Sequence, residues 1–246
     1  MNTYIAFIFS SLAGLSTMIG SFVVFCSKKK TLNFLIGGIS FAAGVMFFLS
    51  IFDLVPESLR FFSDSFKIVP SIIICLIFLC LGVCISIIVD KFFPSTFDND
   101  NLYKIGLITM IGLMIHNIPE GIATFMTTNE DVRLGLSTSI SITMHNIPEG
   151  ISVALPIYYC TKSKGKAFLY TFICAASEPF GALLAYLFLN PTYFTLGVIY
   201  SITSGIMIYI SMYELFSSVI KYKRYRIVYT FYILGFILVL INHFLV

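Results

Sequence analysis

Apolar residues fill this chain in eight long runs separated by short polar stretches. The runs are Thr3–Phe25, Phe34–Pro56, Val69–Val89, Tyr103–Thr127, Val132–Tyr159, Ala167–Leu189, Phe194–Val219 and Ile227–Phe244. Each comes near or exceeds the roughly 20 residues that an α-helix needs to cross the hydrocarbon core of a bilayer. The pattern predicts an all-α integral membrane protein with eight transmembrane helices. No polar stretch is long enough for a separate soluble unit, so residues 1–246 are expected to form a single transmembrane domain. Small residues recur four apart on several runs: Ser16 and Gly20, Ser40 and Gly44, Ser177 and Gly181, Gly181 and Ala185. Such pairs let helices approach closely in lipid.

Charge adds direction to this picture. Only 11% of residues are charged and 58% are hydrophobic, whereas soluble domains carry about a quarter charged residues. The N-terminus lacks the basic leader of a signal peptide, and its first positive cluster, Lys28-Lys29-Lys30, follows the first apolar run. Lysine and arginine gather on the cytoplasmic side of membrane proteins. The connections after runs one, three, five and seven, with the adjoining helix ends, hold twelve of the fifteen basic residues; only Arg60, Lys67 and Arg133 lie on the other side. Both termini are therefore expected outside, in the plasma or inner membrane, with an even number of crossings.

Cysteine and nucleotide chemistry change little. Cys26, Cys75, Cys80, Cys84, Cys160 and Cys174 form no C-x-x-C pair and read as packing residues rather than a disulfide framework or thiolate site. No G-x-x-x-x-G-K-[ST] loop is present, so ATP is not bound in that way.

The chemistry lies in a doubled motif. His116-Asn117-Ile118-Pro119-Glu120-Gly121 sits in the fourth run and His145-Asn146-Ile147-Pro148-Glu149-Gly150 in the fifth. A third acid, Glu178, stands in Ser177-Glu178-Pro179 of the sixth run. All three acids fall near the middle of their runs, at one depth in the membrane. In each motif His and Glu are four apart and share a helix face. Each Asn sits about 100° round from its His, still near that face. Pro119 and Pro148 lack a backbone donor and free the carbonyls of Ile115 and Met144. Helical backbone broken in this way is tolerated in a membrane where protein or a polar cavity satisfies it. Three ionised carboxylates facing lipid would cost on the order of 8–10 kcal/mol, and no Lys or Arg lies at that depth to neutralise them. A divalent cation would. The bland reading is protonated glutamates bonded to Asn and His in a packed core; two identical six-residue copies plus a third acid at one depth favour the cation.

At these residues the chain resembles the ZIP family of zinc and iron transporters, and within it the bacterial ZupT type. Also family-like are Phe41-Ala42-Ala43-Gly44-Val45-Met46 and Leu54-Val55-Pro56-Glu57 in the second run. The resemblance implies a ZIP fold, with an inverted 3+2+3 repeat relating helices 1–3 to helices 6–8. It implies two adjacent metal positions. His116, Glu120, His145 and Glu149 would make one; Asn117, Glu120, Asn146, Glu149 and Glu178 would make the other, bridged by Glu120 and Glu149. It also implies a rocking or elevator motion of helices 1, 4, 5 and 6 against the rest. One departure stands out. Many relatives carry a His-rich loop between helices 3 and 4, but Lys91 to Asn101 holds no His, and its Asp98 and Asp100 read as solvated charge.

The expected cargo is Zn²⁺, bound at the site and transported into the cytoplasm. Fe²⁺, Mn²⁺, Co²⁺ and Cd²⁺ suit the same nitrogen and oxygen donors. The expected partners are these ions and the lipid bilayer, with a homodimer as the candidate assembly and no role for nucleic acid. The rival readings are an intramembrane metal sensor and a metalloprotease. A protease wants H-E-x-x-H, whereas here Asn follows each His. At the edges, Asp53 and Glu57 read either as an attractive entrance for cations or as an ordinary helix end. Glu214, near the inner end of the seventh run, reads as an ordinary helix end ahead of a residue that helps release the cation, and His243 as an isolated interfacial residue.

Overall fold

The computed structural model describes residues 2–27, 31–92, 98–188 and 192–245. The Lys28-Lys29-Lys30 cluster lies outside the described residues, as do the side chains behind the reading of Asp98 and Asp100. The described residues form eight helical rods: α1 Asn2–Cys26, α2 Leu32–Ser63, α3 Ile68–Phe92, α4 Asp98–Glu130, α5 Val132–Thr161, α6 Lys164–Phe188, α7 Tyr193–Ile220 and α8 Tyr225–Leu245. Their ends follow local chemistry. Thr31 and Thr192 cap α2 and α7, their side chains accepting from Phe34 N–H and Thr195 N–H. Asp131 alone separates α4 from α5; its carboxylate accepts from Arg133 N–H at 2.7 Å. α5 stops where Lys162 turns left-handed at φ 54° and its N–H returns to Tyr158 O.

Seven of the eight rods are long and apolar enough to cross a membrane. The eighth, α5, has the length at 30 residues but not the apolarity, because it carries Arg133, His145, Asn146, Glu149 and several hydroxyl side chains. It is tolerated because protein replaces lipid around it. α1, α2, α4 and α6 all pack against α5, and Val153 to Ile157 are fully buried. α3 and α8 are the opposite case, with most of their surface presented outward. The chain is thus a multi-pass membrane protein with its polar inventory at the centre.

The rods form two groups of four. α1, α4, α5 and α6 pack on one another, and α2, α3, α7 and α8 do likewise. Close approach at glycine sets both. A Cβ on Gly150 would collide with Thr17 O, and one on Gly20 would lie 2.5 Å from Ile147 O, which brings α1 against α5. Cβ atoms on Gly121 and Gly181 would collide with Glu178 O and Ile118 O, which brings α4 against α6. In the second group Gly44 meets Tyr232 O and Gly235 meets Phe41 O across α2 and α8, while Gly205 meets Leu79 O and Gly82 meets Ile202 O across α3 and α7. The crossings come in pairs. Gly20 and Gly181 are 161 positions apart, and so are Gly44 and Gly205, Phe41 and Ile202, and the two capping threonines.

α2 runs past Pro56, where the apolar run predicts it to end, and a widened turn explains why it survives. Over Ser50–Leu54 the bonding shifts to π-type, with Val55 N–H donating to Ser50 O. The shift spares the chain the clash that a proline ring makes with the carbonyl four residues before it. α7 carries a matching turn over Ile210–Phe216, where Ser217 N–H donates to Met212 O, and no proline is there. Proline therefore does not account for both turns. Each instead holds an acid, Asp53 or Glu214, and widened turns of this kind recur at functional sites.

Candidate metal centre

The two motifs meet at the core of the first group. Both helices continue through Pro119 and Pro148, so His and Glu keep their four-residue register. His145 Nε2 lies 2.8 Å from Glu120 Oε1, and His116 Nε2 lies 3.0 Å from the same oxygen. One carboxylate oxygen thus lies close to imidazole nitrogens from two helices, and only the His145 contact has hydrogen-bond geometry. His116 Nε2 is also 3.5 Å from Glu149 Oε1, and the two imidazole centroids are 6.4 Å apart. A ligand atom from each of His116, Glu120 and His145 falls within 4.8 Å of the others. Converging nitrogen and oxygen lone pairs at that separation suit a first-row divalent cation.

The remaining sequence-predicted residues flank this group. Asn146 Nδ2 donates to Glu178 Oε2 at 2.8 Å and to Ala13 O at 3.0 Å. Asn117 Nδ2 donates to Cys174 O at 3.2 Å. Each asparagine is therefore clamped to a neighbouring helix with its carbonyl oxygen left over. Glu178 is tied to the second motif through Asn146.

All seven residues are buried, with exposures of 6% or less. Many of their polar atoms have no hydrogen-bond partner: His116 Nδ1 and Nε2, His145 Nδ1, Asn117 Oδ1, Asn146 Oδ1, Glu120 Oε2, both oxygens of Glu149, and Glu178 Oε1. Buried polar groups are almost always paired, because each one left alone costs about 1–3 kcal/mol. Every one of the seven residues carries such an orphan, a donor set that a cation would satisfy. Among the described residues, every ion pair of these glutamates is with histidine and none with Lys or Arg.

Two further polar pairs lie at the ends of the second group. His243 is not isolated, as its sequence position predicts; α8 brings its Nδ1 to 3.0 Å from Asp53 Oδ1 on the widened turn of α2. Glu57, one turn on, pairs instead with the exposed Arg60. Ser50 faces its own helix and donates to Met46 O at 2.7 Å. At the other end, Glu214 lines a cavity of about 410 Å³ with Asp90, Lys104, Tyr213 and Lys221. Asp90 Oδ1 is 2.6 Å from Lys104 Nζ, and Asp90 Oδ2 accepts from Tyr209 O–H at 3.4 Å. Asp90 is a site-like residue that the motif reading misses. Aligning the chain with itself would find it, since Asp90 stands eight residues after Gly82 as His243 does after Gly235.

Comparison with known proteins agrees with the geometry. The family described as "ZIP Zinc transporter" matches residues 96–243. The zinc transporter ZupT of Clostridium perfringens is 35% identical, over 92% of this chain and 90% of its own length. ZupT of Streptococcus mutans serotype c is 36% identical, over 92% and 91%. ZupT of Chlorobium luteolum is 37% identical, over 95% of both. These relatives are transporters rather than enzymes, which disposes of the metalloprotease reading. With its doubled motif buried between α4 and α5 and its likeness to these relatives running nearly end to end, the chain belongs to the ZIP zinc transporter family.

Proposed function

We propose that this protein carries Zn²⁺ across the plasma membrane into the cytoplasm, through a centre held by His116, Asn117, Glu120, His145, Asn146, Glu149 and Glu178. The observation that carries the reading is the Glu120 oxygen lying close to both His116 and His145, with orphaned buried donors on all seven residues. Two adjacent ions fit the donor count. One takes His116, Glu120, His145 and Glu149; the other takes Asn117, Asn146 and Glu178, with Glu120 and Glu149 bridging. Fe²⁺, Mn²⁺, Co²⁺ and Cd²⁺ are further cargo that the same donors accept.

The topology follows the charge bias, with both termini outside and the cavity beside Asp90 and Glu214 on the cytoplasmic side. Residues 1–246 act as one transmembrane unit built on an inverted repeat, supported by the paired glycine crossings and paired caps at a constant offset. An offset of five spans reverses direction, so the related halves run opposite ways through the membrane. An inside-negative potential assists uptake of a 2+ ion by roughly 4.6 kcal/mol per 100 mV.

Zn²⁺ uptake into proteoliposomes tests the reading. Glu120→Ala and His145→Ala are each expected to abolish uptake while the protein still elutes as a folded species. Unimpaired uptake in both would refute the site.

A further inference from the structure

One buried side chain near the centre has no role in the picture so far. Thr17 on α1 is fully buried and its Oγ1 has no hydrogen-bond partner. A helical threonine usually bonds the carbonyl four residues back. Thr127, Thr128 and Thr171 do so, to Ala123 O, Thr124 O and Ala167 O. For Thr17 that carbonyl is Ala13 O, and it already accepts from Ser16 Oγ at 2.5 Å and from Asn146 Nδ2 at 3.0 Å. The usual outlet is taken.

The paired contacts say where this hydroxyl belongs. Thr17 stands 161 positions before Glu178. Their neighbours behave alike: Ser16 Oγ donates to Ala13 O, and Ser177 Oγ to Cys174 O, both at 2.5 Å. Asn146 donates to Ala13 O as Asn117 donates to Cys174 O. Thr17 O lies against Gly150 as Glu178 O lies against Gly121. Glu178 turns its carboxylate to Asn146. The same operation turns the Thr17 hydroxyl toward Asn117, whose Oδ1 is also left over. Both oxygens are fully buried and have no hydrogen-bond partner, as two ligand atoms of one cation would.

We infer that Thr17 is a further residue of the metal site, offering a neutral oxygen where the opposite half offers a carboxylate. The inference rests on the inverted-repeat and metal-centre readings above. Glu120, Glu149 and Glu178 bring three negative charges to two divalent ions. A fourth carboxylate would balance both ions fully and hold them, since affinity rises with ligand charge count. The hydroxyl leaves one positive charge uncompensated. The second ion is then held loosely enough to leave, and the ions are drawn toward the Glu178 side.

Zn²⁺ titration of purified protein against a chelating dye, with uptake in proteoliposomes, tests this. The close approach at Gly150 is to the Thr17 backbone, so side-chain exchange spares the crossing. Thr17→Val keeps the volume and removes the oxygen; the half-saturating Zn²⁺ concentration is expected to rise several-fold, with metal-free melting unchanged. Thr17→Ser restores the oxygen and is expected to behave as the parent. Thr17→Glu is expected to bind Zn²⁺ more tightly and to lower the maximal uptake rate. If Thr17→Val matches the parent in both binding and uptake while Glu178→Gln does not, Thr17 is no site residue, although the centre stands. If Glu178→Gln and Glu120→Gln also leave binding unchanged, the metal-centre reading itself has failed. The Val and Ser pair decides the matter even where Thr17→Glu does not fold.

Discussion

The two four-helix groups use one packing device for opposite ends. In both, glycines bring helices to backbone contact in antisymmetric pairs. In α1, α4, α5 and α6 the space beside those crossings is filled by histidine, asparagine and glutamate. In α2, α3, α7 and α8 it is filled by side chains such as Phe48, Tyr232 and Phe236, whose rings cluster with centroids 4.4–5.5 Å apart. Close approach therefore does not dictate polarity. Surroundings do: α5 is wrapped by protein and affords buried charge, while α3 and α8 face outward and stay apolar. Inside the second group the buried polar side chains named among its hydrogen bonds are hydroxyls, such as Ser58 with Ser201, and ionisable pairs stand toward the helix ends, at Asp53 with His243 and at Asp90 with Lys104 beside Glu214. One group gathers buried histidines and carboxylates at its core, and the other turns much of its surface outward and carries a polar pair toward each end.

The sharpest break in that contrast is at the motif acids of the first group. Glu149→Ala, measured by Zn²⁺ uptake and by bound metal per protein, is expected to lose uptake entirely and to lose bound metal. No acid of the second group should do this. Next come the crossings. Gly150→Leu must push α1 from α5 and is expected to lower stability by about 1–3 kcal/mol and to weaken Zn²⁺ binding with it. Gly235→Leu is expected to cost a similar amount in melting, through α2 and α8, with Zn²⁺ affinity of the folded fraction retained. Equal loss of affinity in both would erase the distinction between the groups.

Acid acts on the first group through its ligands. Imidazole binds metal only when neutral and carboxylate only when ionised. Uptake is therefore expected to fall as external pH drops below about 6, near the ordinary histidine range. Rising uptake in that window would point to proton coupling instead. The smallest effects belong to the pair of Asp53 and His243. Asp53→Asn and His243→Ala remove a half-exposed pair worth roughly 0–1 kcal/mol. They are expected to raise half-saturation by no more than about fivefold, with maximal rate unchanged. Arg60→Ala, fully at the surface, is expected to shift stability by no more than about 0.5 kcal/mol.

Eight spans, the two motifs, their common depth and the shared face of each His and Glu were all legible in the sequence, because each is a property of spacing along one helix. So was Glu178, since an acid inside an apolar run is conspicuous. What escaped is what passes between helices. His243 reads as alone because Asp53 is 190 positions away. Thr17 carries no mark in the sequence, and its unpartnered hydroxyl shows only once Asn146 is seen at Ala13 O. The offset of 161 was present in the chain all along. Yet over Thr31 to Leu54 the matched positions keep only scattered identities, such as Ser40 with Ser201, Gly44 with Gly205 and Met46 with Met207.

The sequence alone determined that this chain crosses a membrane and which residues it hides there, because hydropathy and helical period are local and lipid punishes any exception. Tertiary structure decided which nitrogens lie beside one Glu120 oxygen, which carbonyls hold the two asparagines, and which partners Asp53 and Asp90 meet. Those depend on the rotation and closeness of helices at glycine crossings, which no periodicity within a single helix encodes.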